Sequence, residues 1–231
     1  PRIFAVIKPE SYAELSVAKQ RITARKILSA VQEEISGTDM DFTYCIYDNN
    51  FVLALFLEKI PSGKRTSEVY ILISDILNSL NRKGISCFAG MGCCRKGSST
   101  ISKSYTEGLR ALELGKKLHP EDILFSYEKD MIYHIYSSNL TVESLTDIYA
   151  AVLKPLDDYD SQNDSFLSET LFEYIKNGQN ISQTAAKLFI HRNTMLYRLQ
   201  KIKQIINFDL KSTDSLYIIQ TAFYIKQLLK F

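Results

Sequence analysis

The segment that decides the fold of the C-terminal part is AAKLFIHRNTMLYRL, residues 185–199. Its first residues predict a short helix whose two adjacent alanines allow another helix to approach closely. A turn at residues 189–191 is followed by a longer helix, whose apolar positions recur at i, i+4 and i+7 and therefore face a core. Those positions are Met195, Leu199 and Ile202. Asn180 and Gln183 have the spacing of a capping box at the start of the short helix. The pattern predicts a helix-turn-helix over residues 182–203.

The opposite face of the longer helix is polar and cationic, and no acidic residue occurs between positions 174 and 208. Arginine can donate two hydrogen bonds to guanine, and asparagine or glutamine can pair with adenine in a similar way. A recognition helix contacts bases mainly through its N-terminal residues, and other polar side chains contact phosphates. The residues predicted to contact DNA are His191, Arg192, Asn193, Thr194, Tyr197, Arg198, Gln200 and Lys203. On spacing alone, an ordinary helical hairpin with a solvated polar face is the alternative.

The distribution of charge along the chain favours a polyanionic partner for this part. From residue 176 to residue 231 there are nine Lys or Arg residues against two Asp residues, whereas the first 175 residues carry 19 basic and 24 acidic side chains. A basic segment on an acidic body is typical of a protein in which one part binds nucleic acid. We therefore expect double-stranded DNA as the partner. A module whose basic helices bind an acidic protein is the alternative.

Upstream of the helix-turn-helix, the polar and acidic residues 157–164 are typical of a linker. Residues 131–156 predict two short helices, the second of which Pro155 breaks near its end. We therefore predict three parts: an α/β domain over residues 1–130, a helical connector and linker over 131–164, and the helix-turn-helix domain over 165–231.

The first 130 residues alternate between strand-like and helix-like patterns. Two β-rich runs joined by an Asp/Asn turn at residues 48–50 predict a hairpin. The predicted strands are residues 3–7, 42–47, 51–57, 85–94 and 123–125, and the predicted helices are residues 12–36, 67–82 and 105–118. This order is that of a ferredoxin-like α/β sandwich with a mostly antiparallel sheet and helices on one face. The predicted fold class is α+β, with this sandwich followed by an all-α domain.

Composition narrows the class of protein further. No run of about 18 apolar residues is present, which predicts no membrane-spanning helix. Cys45, Cys87, Cys93 and Cys94 lack the spacing of a zinc site, so we expect reduced thiols in a cytoplasmic protein. The chain begins at Pro1 without an initiator Met or a signal-peptide pattern, from which we expect it to be a fragment of a longer protein.

Residues 185–199 resemble the C-terminal helix-turn-helix of the PucR/CdaR family of bacterial transcription regulators. The family signature is close to A-x-x-L-x-I/V-H-x-N-T-hydrophobic-x-Y-R-L, and each of its elements is present here. The upstream residues that also match are Leu153, Pro155, Leu156, Tyr159, Asp160, Thr170, Leu171 and Tyr174. The resemblance implies a sequence-specific regulator of a metabolic or catabolic operon. We expect it to bind its operator as a homodimer, with a small-molecule effector sensed outside this chain.

In the same family, the domain ahead of the helix-turn-helix resembles a GGDEF-type nucleotidyl cyclase. Active cyclases have two glycines and two acidic residues in the hairpin turn, whereas this chain has no glycine there and has Asn49 and Asn50 in place of the acids. Neutral amides bind Mg²⁺ far more weakly than carboxylates do, and the first strand ends in Lys8. We therefore expect no catalytic residues, no metal, no cofactor and no enzymatic activity. A nucleotide-binding receptor that uses the catalytically inactive cyclase fold is the alternative function.

Overall fold

The computed structural model of the protein describes residues 1–10, 12–206 and 208–229. The chain forms two compact units, Pro1–His134 and Ile135–Phe231. Within the described residues, no helix combines the length and the apolar composition needed to cross a bilayer. Lys230, counted above among the basic residues, lies outside the described part.

The first unit is built on a single mixed sheet. Its strands are β1 (Arg2–Pro9), β2 (Asp41–Tyr47), β3 (Asn50–Phe56), β4 (Cys87–Met91) and β5 (Leu124–Ser126). Its α-helices are α1 (Val17–Ile35), α2 (Arg65–Arg82) and α3 (Ile101–Leu118), with short 3₁₀ helices at Tyr12–Glu14, Ser62–Lys64 and Ser98–Thr100. The strand order is β2-β3-β1-β4-β5, and all neighbours are antiparallel except β4 and β5. The predicted hairpin and the predicted α+β fold class are confirmed.

Helices cover both faces of this sheet, not one. The α1 and α2 helices form one core with alternate residues of β1, such as Ile3 and Ile7. The α3 helix lies against the opposite face, where a Cβ on Gly90 would come within 2.1 Å of the Gly108 carbonyl oxygen. The prediction of helices on one face was therefore wrong, because glycines on β4 and α3 let a third helix pack directly on the other side of the sheet.

The rest of the chain is helical. The helices are α4 (Met131–Asn139), α5 (Val142–Val152), α6 (Lys154–Asn163), α7 (Leu167–Lys176), α8 (Ile181–Lys187), α9 (Arg192–Ile206) and α10 (Thr213–Leu229). The second unit has one apolar core to which helices from α5 to α10 contribute. Core residues without any exposed surface include Leu153, Leu156, Leu171, Met195, Ile202, Ile219 and Ile225.

The polar segment predicted to be a linker is mostly a helix of the second unit. Pro155 does not break a helix there. It lies in the first turn of α6, where its missing N–H and its fixed φ are compatible with a helix start. Leu156 is fully buried in the core, and Tyr159 packs against that core. Residues 135–164 thus belong to the second compact unit and do not form a separate connector.

Candidate nucleic-acid interface

The helix-turn-helix is formed by α8 and α9, with α7 packed against both. Asn180 begins α8, and its Oδ1 accepts a hydrogen bond from the Gln183 backbone N–H over 3.0 Å, as the capping spacing predicts. Thr184 and Ala185 are buried, whereas Ala186 is exposed. Only the first of the two predicted small residues therefore faces a neighbouring helix, because successive residues of a helix point about 100° apart.

The two faces of α9 are as the spacing predicts. Met195, Leu199 and Ile202 are buried in the core of the second unit. On the other side, seven of the eight residues predicted to contact DNA are exposed. These are His191, Arg192, Asn193, Thr194, Tyr197, Gln200 and Lys203. They extend from the residue before α9 to its last turn, with an apolar core behind them.

His191, the residue before α9, caps the start of this helix with its side chain. Its Nδ1 accepts a hydrogen bond from the Asn193 backbone N–H over 3.2 Å, which requires the tautomer that has its proton on Nε2. The first turn of α9 contains no acidic residue, so the positive end of the helix dipole faces solvent without a carboxylate to offset it. Such a helix start favours an anionic partner.

Arg198 differs from the other seven residues because it is held within the second unit. It is half-buried, and its Nη1 donates a hydrogen bond to Thr170 Oγ1 over 2.9 Å. Thr170 is fully buried, and its hydroxyl donates in turn to the Phe166 carbonyl oxygen over 2.6 Å. Arg198 therefore fixes α9 on α7, and its position gives it a supporting role behind the exposed residues.

Two neighbouring lysines are also engaged within the unit. Lys187 Nζ lies 2.6 Å from a carboxylate oxygen of Glu173 on α7. Lys201 Nζ lies 5.1 Å from the centre of the Tyr159 ring, within the range of a cation–π contact. Among the described residues, no ion pair involves Arg192 or Lys203. These two cations are the ones most available to an external anion along α9.

One exposed residue beside this surface was not predicted from the sequence. Phe189, in the turn between α8 and α9, is 95% exposed and has a φ of +55°. The sequence pattern places an aromatic residue next to Ile190, where a core position is the simplest interpretation. Its exposure becomes visible only when the turn geometry is known.

The hairpin of the first unit has the geometry of a tight turn. Asp48 and Asn49 both have positive φ, of 47° and 59°, which is typical of the two-residue turn that matches the twist of a hairpin. The side-chain Nδ2 of Asn50 donates a hydrogen bond to the Asp48 carbonyl oxygen over 2.9 Å. The adjacent cleft, lined by residues such as Tyr12, Ile27 and Phe51, has no room for a water molecule. This geometry gives no support to the nucleotide-receptor alternative, and the cyclase resemblance of this unit stays a prediction.

Comparison with known proteins finds a matching domain and several similar regulators. Residues 167–225 match the PucR C-terminal helix-turn-helix domain. The DNA-binding transcriptional activator AdeR of Bacillus subtilis is 32% identical over 122 residues, which are 52% of this chain and 29% of AdeR. The purine catabolism regulatory protein of the same organism is 28% identical over 129 residues, covering 56% of this chain and 24% of that protein. The carbohydrate diacid regulator of Escherichia coli is 28% identical over 126 residues, which cover 54% of this chain and 32% of that protein.

The chain thus spans less than a third of the length of these three relatives. The solved structure of a regulator of polyketide synthase expression from Bifidobacterium adolescentis also aligns with this chain. The alignment covers 100% of this chain and 82% of that chain, with 16% sequence identity and a TM-score of 0.38. The domain match covers α7 through most of α10 and so includes the two helices of the helix-turn-helix. Residues 167–225 thus form a helix-turn-helix domain of the PucR C-terminal type, and the chain is similar to these transcription regulators over about half of its length.

Proposed function

We propose that this chain recognises a specific operator through the N-terminal half of α9 and regulates a metabolic or catabolic operon without catalysing a reaction. The observation that carries the proposal is the exposed cluster of Arg192, Asn193 and Thr194 at the start of α9, on a helix whose other side is fully packed. A base-contacting residue must be held on a rigid element, and α9 meets that requirement. The names of two relatives, a purine catabolism regulator and a carbohydrate diacid regulator, support a metabolic operon.

The spacing of the two available cations suggests different roles for them. Arg192 and Lys203 are eleven residues apart, which is about 16 Å along a helix axis. The major groove is about 12 Å wide. When the start of α9 lies in the groove with Arg192 at the base edges, Lys203 comes level with the phosphates. Arg192 and Asn193 then contact bases, and Lys203 contributes a contact that does not depend on sequence.

A single helix-turn-helix contacts only a few base pairs, so we propose that the protein binds as a homodimer to two half-sites. In such complexes the half-sites are about 34–36 Å apart, or one turn of DNA. We also propose that a small-molecule effector is sensed by a part of the protein outside this chain. The greater length of the relatives is consistent with such a part.

The test is fluorescence anisotropy with a labelled upstream fragment of the protein's own operon, measured at several salt concentrations. The double variant Arg192→Ala/Asn193→Ala should lose discrimination between operator and scrambled duplex, by about 1–3 kcal/mol for each base contact. Lys203→Ala should weaken binding to both duplexes alike and reduce the slope of log K against log salt by about 1.

Arg82→Ala is the matched control, because Arg82 is an exposed arginine of the first unit at the end of α2. It removes the same charge as Arg192→Ala without touching α9, so it should leave operator discrimination unchanged. Binding that is absent, or that is indifferent both to DNA sequence and to the double variant, would contradict the proposed function.

A further inference from the structure

The turn between α8 and α9 has an unusual residue at its left-handed position. Helix α8 ends in a pair of backbone hydrogen bonds, from Phe189 N–H to the Ala186 carbonyl over 3.2 Å and from Ile190 N–H to the Ala185 carbonyl over 3.0 Å. This pair is the Schellman motif, in which the residue after the helix cap has a left-handed conformation and is usually glycine. Here that residue is Phe189, with a φ of +55°. A side chain at this φ lowers stability, because its Cβ approaches the following carbonyl oxygen too closely.

Two other helices of the same chain end in this motif with glycine in that position. At the end of α2, Gly84 N–H donates to the Asn81 carbonyl and Ile85 N–H to the Leu80 carbonyl, with a φ of +74° at Gly84. At the end of α7, Gly178 N–H and Gln179 N–H donate to the Ile175 and Tyr174 carbonyls, with a φ of +60° at Gly178. The turn itself therefore needs no side chain, and glycine forms it in two other places.

Packing within the fold does not explain the phenylalanine either. Phe189 is 95% exposed, which makes it the most exposed large hydrophobic side chain among the described residues. The ring gains no hydrophobic stabilisation from the fold, since that gain is proportional to the apolar area removed from water. A residue that strains its backbone and leaves its ring in water marks a candidate contact with another molecule.

The position of Phe189 favours DNA as that molecule. It lies two residues before His191, which begins α9, and three before Arg192, the exposed cation of the first turn. Its other neighbours along the turn include Lys187, which is exposed and cationic. A protein-docking site is usually centred on a cluster of apolar side chains, whereas the exposed residues near Phe189 along the chain include the polar or charged Lys187, His191 and Arg192. A phenylalanine beside a base-contacting arginine can pack on the methyl group of thymine or on a deoxyribose ring, which are the apolar parts of DNA.

We propose that Phe189 is a DNA-contacting residue, whose ring packs on an apolar part of the duplex next to the bases contacted by Arg192 and Asn193. This rests on the proposed function of α9. In the free protein the ring is exposed and the turn is strained. In the complex the ring is buried against the DNA, and this burial accounts for the presence of a phenylalanine at a position suited to glycine.

The experiment compares stability and DNA binding for Phe189→Gly and Phe189→Ala in the 231-residue chain. The DNA is an operator fragment, or a duplex selected from a random pool by the wild-type protein. Phe189→Gly relieves the backbone strain, so its denaturation midpoint should equal or exceed that of wild type. Phe189→Ala keeps the Cβ and should leave the midpoint unchanged. Both variants should nevertheless bind the duplex about tenfold more weakly, with an unchanged salt slope because no charge is removed.

A second arm identifies the contacted group. Replacing thymine by deoxyuridine in the duplex removes the 5-methyl groups. If the ring packs on a methyl, wild type should lose the same affinity on this duplex, and Phe189→Ala should lose no more. If it packs on deoxyribose, both proteins should be indifferent to the replacement.

The outcomes separate this inference from the proposed function. If Phe189→Gly and Phe189→Ala bind as well as wild type while Arg192→Ala/Asn193→Ala loses binding, the function of α9 stands and Phe189 is not a DNA contact. A protein partner would then be the remaining reason for its exposure. If the wild-type chain binds no duplex at all, the proposed function and this inference are both overturned.

Discussion

Asp160 is predicted to be a main support of the helix-turn-helix, although it lies in a segment that resembles a linker. Its Oδ1 accepts hydrogen bonds from the Leu167 N–H over 2.8 Å and from the Ser165 hydroxyl over 2.6 Å. Its Oδ2 accepts a third from the Ser168 N–H over 2.8 Å. Phe166, at the cap position of α7, provides no side-chain cap, so the carboxylate of Asp160 performs that function from the preceding helix.

The expected loss follows from these contacts. Removing a helix cap costs about 0.5–2 kcal/mol, and removing a negative charge from a helix N-terminus costs a further 0.3–1 kcal/mol, roughly. Asp160→Ala should therefore lower the free energy of unfolding by about 2–3 kcal/mol, including the unpaired Ser165 hydroxyl. Asp160→Asn retains an oxygen acceptor and should lose roughly half of that.

The assay is urea unfolding followed by far-UV circular dichroism, because the chain contains no tryptophan for fluorescence. Asp158→Ala is the matched control. Asp158 is an exposed acid of the same helix, and within the described part of the chain its one ion pair is with Lys154, four residues earlier, over 2.8 Å. Such a surface pair contributes about 0.5 kcal/mol or less. If Asp160→Ala shifts the unfolding free energy no more than Asp158→Ala does, the carboxylate does not hold α7 and the reasoning is refuted.

The remaining predictions of this group concern the first unit. Gly90→Ala should destabilise the protein by about 3 kcal/mol, because the new Cβ would lie 2.1 Å from the Gly108 carbonyl oxygen and 2.8 Å from the Leu112 nitrogen. Gly37→Ala is the control, because nothing lies within 4 Å of a Cβ at that position. It should change the free energy of unfolding, measured by chemical denaturation, by less than about 0.5 kcal/mol. If Gly90→Ala and Gly37→Ala changed this free energy equally, the packing of α3 on β4 would be contradicted. Burial, with a smaller contribution from Glu10, raises the pKa of Cys87 from 9.0 to about 12, whereas Cys45 is exposed. A thiol reagent at pH 8 should therefore label Cys45 in the native protein and Cys87 only after unfolding, as mass spectrometry can check, and early labelling of Cys87 would disprove its burial. In the unfolded chain this thiol ionises near pH 9.0 and in the folded chain only near 12, so stability should fall as the pH rises through that window. Burial also lowers the pKa of His134 below 6.5. The neutral imidazole then stabilises the fold above that pH, and the contribution should be lost as the pH falls, because the unfolded chain takes up the proton first. The melting temperatures of wild type and His134→Phe, measured between pH 5 and 8, should converge at the acidic end. If the two curves of melting temperature against pH were parallel, His134 would be excluded as the source of the loss of stability.

Elements with a local signature could be predicted from the sequence. The hairpin of β2 and β3 follows from two β-rich runs joined by an Asp/Asn turn. The buried face of α9 follows from the spacing of Met195, Leu199 and Ile202. In both cases, the physical cause lies within a few residues, since the turn conformation and the helical period are set locally.

The segment around α6 shows why composition alone misleads. Its acidic and polar residues are typical of a turn-rich linker, yet Leu153, Leu156 and Tyr159 recur every three residues and line one side of a helix. Two fully buried leucines, together with one packed tyrosine, are sufficient to anchor a short helix whose other side is polar. The acidic residues are accommodated by distant partners, as when Lys226 of α10 lies 2.7 Å from Asp157. Partners that are 69 residues apart cannot be inferred from a local pattern.

The exposed face of α9 could be predicted from the sequence, but the roles of individual residues on and beside it could not. Arg198 belongs by spacing with the residues beside the recognition face, and only the position of Thr170, 28 residues earlier, shows that it is held by α7. Phe189 is one of several apolar residues in the turn, and its φ distinguishes it from Ile190, which packs against the core. Both roles depend on tertiary geometry.

The contacts behind α9 form a continuous support that reaches back to the segment resembling a linker. Asp160 holds the start of α7, and α7 presents the buried Thr170 hydroxyl to which Arg198 donates. If Arg192 and Asn193 contact DNA as proposed, substitution of a supporting residue should weaken DNA binding without removing either contact, because it changes the position of these two residues. A displacement of about 1 Å is large for a hydrogen bond that is well formed only between about 2.7 and 3.2 Å. Loss of binding in Asp160 or Thr170 variants should accordingly track their loss of stability and recover at lower temperature or in a stabilising osmolyte, whereas loss of binding in Arg192 or Asn193 variants should persist at full stability. That difference would separate residues that support α9 from the residues that we propose contact the operator.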